Sequence, residues 1–157
     1  MDDPDPEKLA SFWQRFIAAN PADASSAFVA AWGFGDSPEM ADELLDLVID
    51  GPKRATAGAL ADYVTDGPVP TVGDLMVLLD GSSRPRAVIR TTDVRIGPLS
   101  SVDDQFAWDE GEGDRTRTWW LDAHTRFFQR WFAKVGREFH PDIDVVFERF
   151  ELVYHEP

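Results

Sequence analysis

Apolar residues recur at helical spacing in the first third of the chain. Leu9, Phe12, Trp13, Phe16 and Ile17 form one stripe between Glu7 and Ala19, and Pro21 closes it. A second stripe holds Met40, Leu44, Leu45, Leu47 and Val48. Asp36 or Ser37 can cap this helix, Pro38 suits its first turn, and Glu39 complements its dipole. Gly51 and Pro52 stop it.

The period then changes. Residues 55–64 are too short and mixed to assign. MVLLD (76–80), RAVIRTTDVRI (86–96) and DVVFERFELVYH (144–155) are rich in β-branched and aromatic residues and predict strands. DGPVP at 66–70 and DGSSRP at 80–85 are turn clusters. Two helices are expected before the last strand, one over about 101–110 and one over about 118–135. In the longer one, Trp120, Leu121, His124, Phe128, Trp131 and Val135 share a broad face, with Phe128 and Trp131 expected in the core. Arg126, Arg130, Lys134 and Arg137 fall together elsewhere, as a solvated stripe. The pattern predicts an α+β fold built on a small, mostly antiparallel β-barrel or sheet flanked by helices.

A chain of 157 residues fits one domain with its own core. There is no cysteine, which removes disulfides and thiolate sites and is compatible with a reducing cytoplasm. The opening MDDPDPEKLA is acidic and is not a signal peptide, and no apolar run approaches the roughly 20 residues of a membrane span. A cytoplasmic location is expected.

Net charge is −14, which argues against a general nucleic-acid coat protein. The charge is uneven. Residues 1–50 carry −9, whereas residues 115–137 carry +5 and residues 84–95 carry +3. Such a chain can hold a phosphodiester at one place, which favours short, salt-sensitive ligands over long tracts.

Three stretches bear candidate chemistry. In DGPKRATAG (50–58), Lys53 is one of three lysines in the chain, and Thr56 follows three positions later. The pair has a bland explanation: a cation behind a helix C-terminus and a β-branched residue opening a strand. In FAWDEGEGD (106–114), Gly111 and Gly113 allow tight turns beside Glu110 and Glu112; solvated acids after a helix cap are the plain alternative. In TRTWWLDAHTRFF (116–128), His124 lies on the apolar face beside Trp120, as a core histidine or as part of a pocket wall. Nucleophile elbows, phosphate-binding glycine loops and H-E-x-x-H are missing, and with three scattered histidines no structural zinc site is expected. The many acids leave room for a carboxylate-bound magnesium or manganese ion.

In this order the stretches resemble the ASCH domain of the PUA-like superfamily, in its longer single-domain bacterial form. The family's G-x-K-x-x-T stands as Gly51, Lys53 and Thr56. Gly73 and Asp74 follow before a strand, then Phe106 to Asp114, then Trp120 and His124. The likeness covers roughly residues 32–155, leaving an N-terminal helical extension at about 1–31. Many members carry arginine where this chain has Gly58.

The resemblance implies a cleft for single-stranded RNA or a modified nucleoside, with neither DNA nor a membrane as partner. It implies hydrolysis of single-stranded RNA or, alternatively, amide hydrolysis on N4-acetylcytidine; a non-catalytic RNA-binding module is the third option. In the amidohydrolase case Lys53 is the base, Thr56 the nucleophile and Glu110 the proton donor. A lysine base has to be brought from about 10.4 to near 7–8, whereas a charged lysine suits phosphate or oxyanion stabilisation. Substrate contacts are expected from Arg54, Arg90, Trp108, Arg115, Arg117, Trp120 and His124. A narrow pocket closed by Trp108 or Trp120 would suit a nucleoside, and an open groove edged by the arginines would suit a strand.

Overall fold

A computed structural model of the chain describes residues 3–157. Five helices and five strands follow in order: α1 Pro6–Ala19, β1 Ala30–Trp32, α2 Pro38–Ile49, β2 Ala55–Ala59, α3 Leu60–Asp66, β3 Leu75–Leu79, β4 Pro85–Pro98, α4 Asp104–Glu110, α5 Arg117–Lys134 and β5 Asp144–His155. The fold is α+β. Its sheet has the order β1-β3-β4-β5-β2; β3–β4 and β2–β5 are antiparallel, and β1 joins β3 in parallel.

The chain divides into two compact units. One comprises residues up to Gly51, Gly73–Thr91 and Glu151–Pro157. Here the predicted stripe of α1 delivers Phe12 and Phe16, fully buried, against Val77, Leu79 and Val88 of β3 and β4. Asp5 caps α1, and Ser37, not Asp36, caps α2 by accepting from the Met40 amide at 3.2 Å. Asp80 pins the β3–β4 turn by accepting from the Ser82 and Arg84 amides and the Arg84 guanidinium.

The other unit comprises Pro52–Val72 and Thr92–Phe150. Its core is aromatic: Phe106, Trp120, Phe128, Phe132 and Phe147 are buried among Ala55, Ala59, Leu99 and Val145. Asp103 caps α4 through the Phe106 amide, and Thr116 caps α5 through the Trp119 amide. Both helices are thereby set at defined starting points.

Two expectations need correction, and one open stretch is resolved. The unassigned stretch 55–64 is a strand running directly into a helix, β2 into α3. The expected helix over 101–110 starts later, after a 3-10 turn at Leu99–Ser101. Trp131 is only half-buried because its indole nitrogen donates to Asp62 on α3, at 3.0 and 3.1 Å; Phe132 takes the core position beside Phe128. Arg126, Arg130 and Lys134 are exposed as expected, while Arg137 is half-buried on Asp62 at 2.7 Å.

Candidate functional site

Pro52 and Lys53 meet the glycine-rich "EGEG" in the second unit. Glu110 is the last residue of α4, and Gly111 ends the helix in the left-handed conformation with φ 70°. That turn reverses the chain enough for Glu110 and Glu112 to reach the same ammonium. Only glycine fits there: a Cβ on Gly111 would lie 2.9 Å from the Lys53 nitrogen and from the Pro52 carbonyl carbon. The Arg54 amide donates to the Asp109 carbonyl at 2.7 Å and fastens the two segments.

Lys53 is a buried cation, 1% exposed. Its ammonium donates to the Ala55 carbonyl at 2.9 Å, to Glu112 Oε2 at 3.2 Å and to Glu110 Oε1 at 3.4 Å. Three acceptors answer the three N–H groups of a lysine. Glu110 is equally enclosed. Its Oε1 also meets His124 Nε2 at 3.1 Å, and its Oε2 accepts from the Trp120 indole. His124 Nδ1 lies 2.9 Å from the Trp120 carbonyl, and the imidazole stacks on the Trp120 ring with centroids 3.8 Å apart.

Protonation follows from these contacts. Burial pushes the Glu110 carboxyl up, but the charges of His124 and Lys53 and the hydrogen bond from His124 outweigh it and hold the carboxyl well below its usual range. Glu110 is therefore an anion. A carbonyl can only accept, so His124 Nδ1 carries a proton; an ionised Glu110 also accepts, so Nε2 carries another. The imidazolium is the form that fits. Burial pulls the His124 pKa down, yet the Glu110 charge and hydrogen bond leave it raised. Glu112 differs from its neighbour. Burial, with the Glu110 charge and hydrogen bond, pushes its carboxyl up to about 7 against the pull of Lys53.

Glu112 is the site residue that sequence reasoning passed over. It lies two positions from Glu110 on a loop, where no helical or strand period connects them; the alternation E-G-E-G was the available signal. Glu110, Glu112 and His124 each offer an oxygen or nitrogen within 4.8 Å of the others, a spacing that could hold a metal ion. In this arrangement the Lys53 ammonium is the cation among those oxygens, and both imidazole nitrogens are engaged. A divalent ion would have to displace the first and deprotonate the second.

The remaining candidates each have their own surroundings. Thr56 is half-buried on β2, in register with Glu148 of β5. Side chains alternate along a strand, so Thr56 and Gly58 share one face, while Ala55, Ala57 and Ala59 pack on the aromatic core at the other. A Cβ on Gly58 would lie 2.8 Å from the Tyr63 hydroxyl, so any larger residue there would have to move that ring. Trp120 is core, 1% exposed, whereas Trp108 is 54% exposed with the Arg115 guanidinium 3.6 Å from its ring centre. Arg117 is tied to the Val102 and Ser100 carbonyls, and Arg54 to the Lys53 carbonyl. Arg90 belongs to the first unit, paired with Asp23 and Glu151.

The model of the ASCH domain matches residues 30–154. The chain belongs to the ASCH domain family. A crystal structure of an ASCH domain from Lactobacillus crispatus JV V101 is similar over 95% of this chain and 96% of its own, at 31% identity and a TM-score of 0.83. A protein from Enterococcus faecalis V583 is similar over 93% of this chain and 88% of its own, at 36% identity and a TM-score of 0.82. No curated protein matches the chain in sequence. In this member of the family Lys53, Glu110, Trp120 and His124 adjoin one another. Among the described residues no helix is long and apolar enough to cross a membrane.

Proposed function

We propose that this ASCH protein binds single-stranded RNA in the cytoplasm and hydrolyses it at the Lys53–Glu110–Glu112–His124 cluster. One observation carries the reading. Two carboxyls, an imidazolium and an ammonium are packed within hydrogen-bonding reach, and burial beside Glu110 pushes the Glu112 carboxyl up to about 7. Phosphodiester cleavage needs a group that exchanges protons near pH 7 and fixed positive charge to stabilise a phosphorane-like transition state. The cluster offers both. ASCH domains are generally RNA-binding, which supports the choice of ligand. The exposed Trp108 with Arg115 stacked on it suits an unpaired base.

The alternative, amide hydrolysis on N4-acetylcytidine with Lys53 as base, Thr56 as nucleophile and Glu110 as donor, draws on the 3.4 Å approach of Lys53 to Glu110. It asks more of the site. Lys53 would have to give up a proton while three acceptors surround its ammonium.

The deciding experiment incubates purified protein with labelled single-stranded RNA and, separately, with N4-acetylcytidine, each with and without magnesium or manganese. Cleavage of the RNA is expected. Release of acetate with intact RNA would favour the amidohydrolase, and RNA binding with neither reaction would leave a binding module.

A further inference from the structure

We propose that Glu112 is the residue of this cluster that exchanges a proton with the bound RNA, and that Glu110 is a positioning residue which holds Lys53, His124 and Trp120 in place. The inference rests on the RNA-cleaving reading above and differs from the role that the resemblance gives to Glu110. The two glutamates have unlike surroundings. Both Glu110 oxygens are spoken for, Oε1 by Lys53 and His124 and Oε2 by the Trp120 indole, and its side chain is 2% exposed. Nothing can approach it without dismantling the core around Trp120.

Glu112 sits at the rim of the same group. Its Oε2 rests on the Lys53 ammonium at 3.2 Å and lies 4.0 Å from His124 Nε2, yet its side chain is 13% exposed. It follows the left-handed Gly111, and the next residue, Gly113, has φ 56° with Trp119 where its Cβ would stand. The backbone on both sides of Glu112 is therefore fixed by glycines that admit no replacement without strain. The groups facing it are Lys53 from the segment before β2, Glu110 from α4 and His124 from α5. His124 is 11% exposed but held through both ring nitrogens, which leaves Glu112, at 13%, as the most open member of the cluster.

The step balances with Glu112 alone. Ionised Glu112 takes the proton of the attacking 2′-hydroxyl as the 2′-oxygen bonds to phosphorus. It returns that proton to the 5′-oxygen as the phosphorus–5′-oxygen bond breaks. The ammonium of Lys53 holds Glu112 in place. Glu112 ends as it began, and the product carries a 2′,3′-cyclic phosphate.

The test is the pH dependence of cleavage of a labelled single-stranded RNA by wild type, Glu112→Gln and Glu110→Gln, each checked for folding by thermal melting. Wild type should gain activity as pH rises through about 7, where Glu112 ionises. Glu112→Gln should lose on the order of 10²–10⁴-fold in rate, with the rise abolished. Glu110→Gln removes the neighbouring negative charge that raises the Glu112 pKa, so its remaining activity should rise at lower pH than wild type. Near wild-type cleavage by a folded Glu112→Gln would overturn the assignment and leave the RNA-cleaving reading standing. An unmoved limb in Glu110→Gln would overturn the positioning role. A wild type that leaves RNA intact would overturn that reading itself, and this inference with it.

Discussion

Lys53 and Glu112 meet at 3.2 Å across 59 positions of sequence, and the contact is almost wholly enclosed. Removing one partner from such a contact leaves the other charged and buried. Lys53→Met should therefore lower unfolding free energy by about 3–5 kcal/mol, whereas loss of the exposed Arg126–Asp122 pair should cost under about 1 kcal/mol. Urea denaturation of the two variants checks the contrast.

The same cluster predicts how stability depends on pH. Glu112 has a folded pKa above its unfolded one, so the folded state holds the extra proton between about 4.5 and about 7, and stability falls as pH rises through that window. His124, also raised, adds to the fall on the alkaline side of its ordinary value. Glu110 is held low, so its contribution is present above its ordinary range and is lost as pH drops below it. Melting temperature should peak near pH 5. Glu112→Gln should flatten the decline between pH 5 and 7, and an unchanged slope would contradict the raised pKa.

Two glycines with one backbone conformation separate strain from collision. Gly111 and Gly136 both have φ 70°, but a Cβ on Gly136 meets nothing within 4 Å, whereas one on Gly111 strikes the backbone at Pro52 and Lys53. Gly136→Ala should cost about 1 kcal/mol, from backbone strain alone. Gly111→Ala should cost at least about 2 kcal/mol more, since neither neighbour is a flexible side chain. Chemical denaturation of the two single variants measures the difference directly.

Much of this was legible in the chain because the periods were long. α1, α2 and α5 span three turns or more, and the stripes Phe12–Phe16 and Trp120–His124–Phe128 survive as core. β1 was not legible: it is three residues, AAW, completed by parallel pairing with β3. α3 has no side-chain cap and only seven residues. Trp131 was misplaced because periodicity counts apolar surface and cannot see Asp62 waiting for an indole N–H. At the site, the nearness of Lys53 and Glu110 followed from the family's residue order. Glu112 showed in the sequence only as half of the E-G-E-G alternation, and the left-handed turn at Gly111 is what brings it to Lys53.

The basic stripe of α5 is a surface feature in this reading. Arg130 and Lys134 are exposed and rest over Phe127 and Trp131 of their own helix. Reversing both charges should change affinity for single-stranded RNA by less than about threefold at physiological salt, where screening acts over about 8 Å. A tenfold loss in a filter-binding titration would place RNA along that stripe.

The claim that the Lys53 cluster acts on RNA is tested most directly by timed cleavage of a labelled single-stranded RNA, comparing wild type with Lys53→Met below its melting midpoint. Wild type should cut the strand, and the variant, though folded, should be slower by at least about 10²-fold, because the fixed charge beside Glu112 is gone. Cleavage by folded Lys53→Met at the wild-type rate would contradict the account and move the chemistry away from Lys53, Glu110, Glu112 and His124.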